Sequence, residues 1–224
     1  EKKITALDLG FEDFLNQIES SIPDNERALS LIRPAKTHPI QSVFNSHVQP
    51  SEELIDFLEV QVQWITPQLS AAKANPKYFF KGINQGWSPI LDDLAISRKL
   101  EDAIFEYALS LPEIGRQGAV DFFLVKGEAG AGKSVLLRKL ATKAADSSLG
   151  IIFWVNDNAS PDPYLIEELI SKSAERVFLF WDDAAINAQA INRFITKADE
   201  KNLNVTLVSS ERYNEWNTRC EELD

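Results

Sequence analysis

The sequence predicts an α/β protein, a three-layer sandwich built on a parallel sheet and preceded by a mostly helical segment. Three observations predict it. The segment Gly127–Ser134 reads G-x-x-x-x-G-K-S and sits between an apolar run and a run of helix formers. From Ala119 onward the pattern alternates β-α-β-α-β-α-β. The third strand of that series ends in the paired acids Asp182-Asp183. Alternation of this kind implies parallel strands covered by helices on both faces, with ligands at the strands' C-terminal ends.

The glycine segment is the phosphate-binding loop of P-loop NTPases. Ala119–Lys126 before it is short and apolar, as a buried strand is, and Val135–Ala144 after it favours helix. Glycines let the backbone turn and aim its N–H groups at phosphate oxygens, and the helix N-terminus adds partial positive charge. The expected nucleotide-binding set is Gly127, Glu128, Ala129, Gly130, Ala131, Gly132, Lys133, Ser134 and Val135. Lys133 would reach the β- and γ-phosphates, and the Ser134 hydroxyl would be a Mg²⁺ ligand. The plain alternative is a glycine-rich turn, which needs neither the lysine nor the serine.

The later elements follow in order. Gly150–Val155 reads as a second strand, Pro163–Ser173 as a helix capped by Asp162, and Arg176–Trp181 as a third strand. Asp182 at its end would hold Mg²⁺, and Asp183 could orient or deprotonate water or simply cap the next helix. That helix is expected over Ala185–Glu200, with Ile186, Ala190, Phe194, Ile195 and Ala198 on one side. A fourth strand, Leu203–Val208, leads to Ser209, Ser210, Glu211 and Arg212. In P-loop ATPases of the additional-strand type a polar residue here senses the γ-phosphate. Arg212 could stabilise transition-state charge, or form a surface salt bridge with Glu211 or Glu215. The chain ends at Asp224 without the fifth strand and helical lid of such ATPases, and it contains no Met, so it reads as a piece of a longer protein, C-terminally truncated.

Upstream, Ile4–Leu9 and Phe11–Ile18 read as a strand and an amphipathic packing helix, and Asn25–Ile32 as a helix stopped by Pro34. Thr37–Pro50 reads as linker, with His38 and His47 as ordinary surface residues. Ser51 caps a helix that is expected to run to about Ile65, although Val60–Trp64 alternates as a strand would. Residues 76–98 mix aromatics and glycines without a clean period. They would form either a satellite core against the sheet or a cap over the base and ribose of a nucleotide. A helix over Lys99–Leu111 would bury Leu100, Ile104, Tyr107, Ala108 and Leu111. The organisation is therefore 1–75 as a helical and linker region and 76–224 as the NTPase core, incomplete at its C-terminal side.

Composition removes several classes. Among 224 residues, 44% are hydrophobic and 25% charged, as in ordinary globular proteins. With 23 basic and 34 acidic residues the net charge is −11, which argues against nucleic acid or an anionic membrane as partner. A single cysteine, Cys220, and two histidines make neither a disulfide nor a zinc site of the usual kinds, so a reducing cytoplasm is expected.

Phe80-x-Gly82 with Gly86-Trp87-x-x-Ile90 and Arg98, the phosphate loop, Phe180–Asp183, and Ser210-Glu211-Arg212-x-Asn214-Glu215-Trp216 together resemble a STAND-type NTPase module. The resemblance covers about residues 76–217. It is to the module that follows a sirtuin-like NAD-consuming domain in prokaryotic antiviral STAND proteins. It implies an ATP- and Mg²⁺-dependent switch between an effector and a sensor, self-association through the NTPase, and a foreign trigger such as a phage protein. It also implies that Trp87 and Arg98 lie near the nucleotide, and that residues 1–75 include the tail of an effector domain. The rival readings are a nucleotide-binding scaffold that barely hydrolyses, and a motor or helicase. No Asn-Lys-x-Asp guanine motif is present, which favours adenine.

Overall fold

The computed structural model describes residues 38–45, 49–110, 120–220 and 223. They belong to a compact unit, His38–Asp224; the second unit, Glu1–Thr37, lies outside the described residues, as do the strand and helices expected there. The sheet has five strands: β1 (Val62–Ile65), β2 (Val120–Gly127), β3 (Ile151–Val155), β4 (Val177–Trp181) and β5 (Val205–Arg212). Their order is β1-β3-β4-β5-β2. All neighbours are parallel except β1, which runs antiparallel to β3 with Val62 opposite Val155. The mostly parallel α/β architecture expected from the alternation is therefore present, with β5 inserted between β2 and β4.

Side chains alternate across the sheet and build two cores. On one face Phe153, Val177, Leu179, Val205 and Leu207 pack against helices α1 (Glu52–Val60), α6 (Pro163–Ser173) and α7 (Ala184–Glu200). On the other, Ile152, Trp154, Phe178, Phe180 and Val208 pack against α5 (Lys133–Asp146) and the segment around Trp87 and Phe105. The buried face of α5 is Leu136, Leu137, Leu140, Ala141, Ala144 and Ala145, spaced as one helical stripe. Burial of one such large apolar side chain contributes roughly 2 kcal/mol, so this helix is held by packing and the loop that precedes it inherits its rigidity.

Several expected elements take a different form. The helix after Ser51 stops at Val60, and the alternating residues Val62–Ile65 form β1. The free edge of β3 supplies hydrogen-bond partners that a helix there could not use, and this tertiary gain overrides local propensity. The sheet thus extends upstream of residue 76, the expected start of the NTPase core. The supposed linker contains a 3-10 helix, Pro39–Val43, whose Ile40 is fully buried. His38 is not a free surface residue: its Nδ1 accepts the Ile40 N–H at 3.2 Å and its ring stands 6.3 Å from Trp64. His47 lies outside the described residues.

The aromatic stretch folds as two short helices, α2 (Pro76–Phe79) and α3 (Ser88–Leu91). The next helix, α4 (Lys99–Ile104), passes into a π-helical turn, Phe105–Leu109. Ala108 is buried as expected, but Phe105 and Leu109 are buried with it while Leu100 and Tyr107 are exposed, contrary to the rest of the stripe; the wider turn shifts the helical phase from Phe105 onward. Leu111 lies outside the described residues. Lys139 of α5 pairs with Glu101 of α4 at 2.9 Å, both nearly buried, which ties the two helices together. In α7 the inward residues are Ala188, Ile191, Phe194 and Ala198, and Ile186 points outward. Ser51 and Asp162 do cap their helices, accepting from Leu54 and Tyr164 N–H groups. Ser51 also donates its hydroxyl to Glu168 of α6 at 2.6 Å.

Candidate functional site

The C-terminal ends of β2, β3, β4 and β5 open onto one cleft of about 930 Å³. That is a volume suited to a small-molecule ligand. Its floor is the loop between β2 and α5. Gly130 and Gly132 have φ of +73° and +77°, left-handed values that side chains disfavour. These turns aim the loop and the first turn of α5 into the cleft, where N–H groups without helical acceptors favour an anion. Lys133 Nζ donates to the carbonyls of Glu128 at 3.0 Å and Gly127 at 3.3 Å, so the lysine is curled back over its own loop. Ser134 and Val135 line the cleft beside it.

Arg98 reaches the loop from the N-cap of α4. Its Nη1 donates to the Ala131 carbonyl at 2.7 Å. Trp87 is placed differently. Its indole N–H donates to Gln63 at 2.7 Å, its ring meets Trp154 edge-on at 5.3 Å, and it is buried behind the cleft wall. The cleft is lined instead by its neighbours, including Phe79, Phe80, Ile83, Ile90 and Ile96. Residues 76–98 therefore supply both a satellite core, through Trp87, and a wall of the cleft.

The opposite wall is built by β4 and β5. Asp182 receives the Ser210 hydroxyl on Oδ1, while Ser209 spends its hydroxyl on the Trp181 carbonyl. Asp183 lines the cleft with a left-handed backbone, φ +54°, at the N-cap position of α7, but its side chain makes no capping bond. Burial pushes the Asp183 carboxyl above its ordinary value, and the charges of Asp182, Glu211 and Asp157 add to this while Arg212 opposes it. Arg212 lies in register with Gly127, so it faces the cleft beside the start of the loop. It is not paired with its neighbouring acids through the side chain: Glu215 holds Arg219 at 3.1 Å, and Glu211 accepts the Arg212 backbone N–H.

Lys133, Ser134, Asp182, Asp183, Arg212 and Arg98 thus share one cleft, and Trp87 does not reach it. Two groups went unread in the sequence. Arg138 lines the cleft with its guanidinium 4.5 Å from the Trp154 ring and 5.7 Å from Trp87. Its spacing of one helical turn from Ser134 was the available signal. Glu211 is buried and caps α7, which only the sheet register reveals.

A divalent cation fits these residues in one manner. No group of three or more His, Cys, Asp or Glu side chains converges among the described residues. A cation would be held by Ser134 and Asp182 together with phosphate oxygens and water, as Mg²⁺ commonly is.

The family model described as Novel STAND NTPase 5 matches residues 77–224. The chain belongs to this family. As a STAND NTPase it is a nucleotide-binding module, and the loop, the acids and the cleft fall within the matched residues. No curated protein matches the sequence. Among solved structures, this STAND NTPase is similar to PCH-2 of C. elegans, with 18% identity, a TM-score of 0.39, and coverage of 55% of this chain and 39% of that one. It is also similar to a chain of the E. coli MS115-1 HORMA:CdnC:Trip13 complex, with 16% identity, a TM-score of 0.35, and coverage of 72% and 65%. Trip13 of Rhizobiales shares 14% identity at a TM-score of 0.30, with coverage of 76% and 63%. The chain spans less than two thirds of each of these three. No described helix is long and apolar enough to cross a membrane.

Proposed function

We propose that this STAND NTPase binds ATP with Mg²⁺ and hydrolyses it slowly, as the switch of a larger signalling protein. The observation that carries the reading is the meeting, in one cleft, of Lys133 and Ser134 on the loop with Asp182, Asp183 and Arg212 on the opposite wall. The insertion of β5 between β2 and β4 agrees with the additional-strand type of P-loop NTPase.

Each side chain has a distinct part. The loop N–H groups and Lys133 bind the β- and γ-phosphates, and Lys133 leaves the Gly127 and Glu128 carbonyls to do so. Ser134 and Asp182 hold the cation, whose contribution is to offset phosphate charge. Asp183 takes a proton from the water whose oxygen attacks the γ-phosphorus, and the bond from that phosphorus to the ADP oxygen breaks. Arg212 offsets charge that develops on the transferred group. Arg98 keeps the loop in shape, and Trp87 supports the wall from behind.

The wider setting rests on the sequence resemblance: self-association in the nucleotide-bound form, activation of an effector, antiviral defence against a phage-derived trigger, and a cytoplasmic location. The deciding experiment compares the chain with Lys133→Ala and Asp183→Asn for bound nucleotide and phosphate release in Mg²⁺-ATP. The expected result is nucleotide bound by the wild type and by Asp183→Asn and lost in Lys133→Ala, with turnover highest in the wild type and reduced roughly a hundredfold in Asp183→Asn. Binding without turnover in the wild type would favour a scaffold. Equal binding by all three would overturn the site.

A further inference from the structure

Glu211 occupies an unusual place. It is 5% exposed, near the end of a central strand, yet it carries a carboxylate. Burying such a group is costly unless its oxygens are satisfied. Both are spent on backbone N–H groups: Oε1 accepts from Arg212 at 2.6 Å and Oε2 from Ala185, in the first turn of α7, at 2.6 Å. One rigid carboxylate therefore joins the end of β5 to the start of α7, and the partial positive charge of that helix end compensates it.

The residue at the N-cap of α7, two positions before Ala185, is Asp183. An aspartate at a helix N-cap ordinarily turns its carboxylate onto the N–H groups of the first turn. Asp183 does not, and the helix is capped from β5 instead. Asn187 completes the brace, donating Nδ2 to the carbonyls of Asp182 at 3.1 Å and Asp183 at 3.0 Å. The left-handed backbone at Asp183 is held from both sides, and its carboxylate stays in the cleft.

We infer that Glu211 is a positioning residue: by capping α7 in place of Asp183 it keeps the Asp183 carboxylate in the cleft and links that carboxylate to Arg212. This rests on the nucleotide-site reading above. Without Glu211, Asp183 would fall back onto its own helix as an ordinary cap. The effect is therefore specific to what Asp183 does and leaves the phosphate loop untouched.

The test is Glu211→Gln in the full chain, alone and combined with Asp183→Asn. Glutamine keeps the shape but has one acceptor oxygen, and its NH₂ cannot accept the second N–H. The expected result is a fall in turnover of roughly tenfold or more, the scale of one lost charge-assisted hydrogen bond, with ADP affinity within about twofold. In the Asp183→Asn background the same change should cause no further loss. Unchanged turnover, an equal loss in both backgrounds, or a parallel loss of ADP affinity would overturn the inference. If the wild type binds ATP without turnover, the hydrolysis reading fails by itself. The ratio of affinities for a non-hydrolysable ATP analogue and ADP then decides, and Glu211→Gln must reduce it. If Glu211→Gln does not fold, Glu211→Asp replaces it, because the shorter side chain keeps the charge but cannot hold both the Arg212 and the Ala185 N–H groups. The same loss confined to the Asp183 background would support the inference, and no loss would overturn it.

Discussion

Arg98 Nη1 donates to the Ala131 carbonyl at 2.7 Å, so a residue 33 positions upstream holds the phosphate loop in place. The same guanidinium lies 2.8 Å from where a Cβ on Gly132 would stand. A side chain at 132 would meet a flexible neighbour, which can move, and a left-handed backbone, which cannot. Gly132→Ala is therefore expected to cost about 1–2 kcal/mol from the backbone alone. It should also lower nucleotide affinity at least tenfold, read by titration calorimetry beside a melting curve. Arg98→Ala should lower affinity with little change in melting temperature.

Asp182 and Asp183 separate by cation dependence. In Asp182→Ala, added Mg²⁺ should no longer strengthen ATP binding, whereas ADP binding without metal should be nearly unchanged. In Asp183→Asn, Mg²⁺ should still strengthen binding, and turnover should fall roughly a hundredfold or more, as for loss of a general base. Titrations with and without a chelator, run beside phosphate release, distinguish the two.

His38 sets a pH dependence of stability remote from the cleft. Burial lowers its pKa from the ordinary value of 6.5, and Glu59 opposes this more weakly. The native fold needs the neutral ring, because Nδ1 accepts the Ile40 N–H. The unfolded chain therefore binds the proton more readily. This contribution is complete above pH 6.5 and is lost as pH falls through the lower folded value. A His38→Asn variant keeps a neutral cap acceptor. Its melting temperature should match the wild type near pH 8 and exceed it near pH 5.

Arg176 is a structural charge. It is buried, and its guanidinium donates to Asp121 at 2.8 Å, to Thr206 at 2.7 Å, to the Val205 carbonyl at 2.9 Å and to Asn204. Arg176→Ala would remove these hydrogen bonds together with the ion pair to Asp121. Removal of one partner of such a pair costs about 3–5 kcal/mol. At about 2–4 °C per kcal/mol for a domain of this size, the melting temperature should fall by roughly 10 °C.

The phosphate loop, the acid pair and the strand-helix alternation were legible because each is a local pattern. Gly130 and Lys133 announce their geometry within a few residues, and Phe178–Trp181 is apolar on both faces because helices cover both. What escaped depended on distant partners. Val62–Ile65 became a strand because β3 had an open edge. Phe105 and Leu109 took the place of Tyr107 in the core because a π-turn over Phe105–Leu109 shifted the helical phase. Trp87 was drawn behind the cleft by Trp154 and Gln63, which no local spacing signals. Glu211 looked like one more surface acid at a strand end, and only the approach of α7 makes it a cap.

The antiparallel pairing of β1 with β3 also sets what can be cut from this chain. The residues matched by the family begin at 77, after β1 has ended. A fragment trimmed to that boundary would keep every group in the cleft and yet lay bare the backbone of β3 along Ile152–Val155. An uncovered edge of buried-type residues is a template on which further chains add strands. A piece that keeps this edge paired is thus defined by the sheet's last hydrogen-bonded neighbour and starts upstream of Ser51, which anchors α1 ahead of that neighbour.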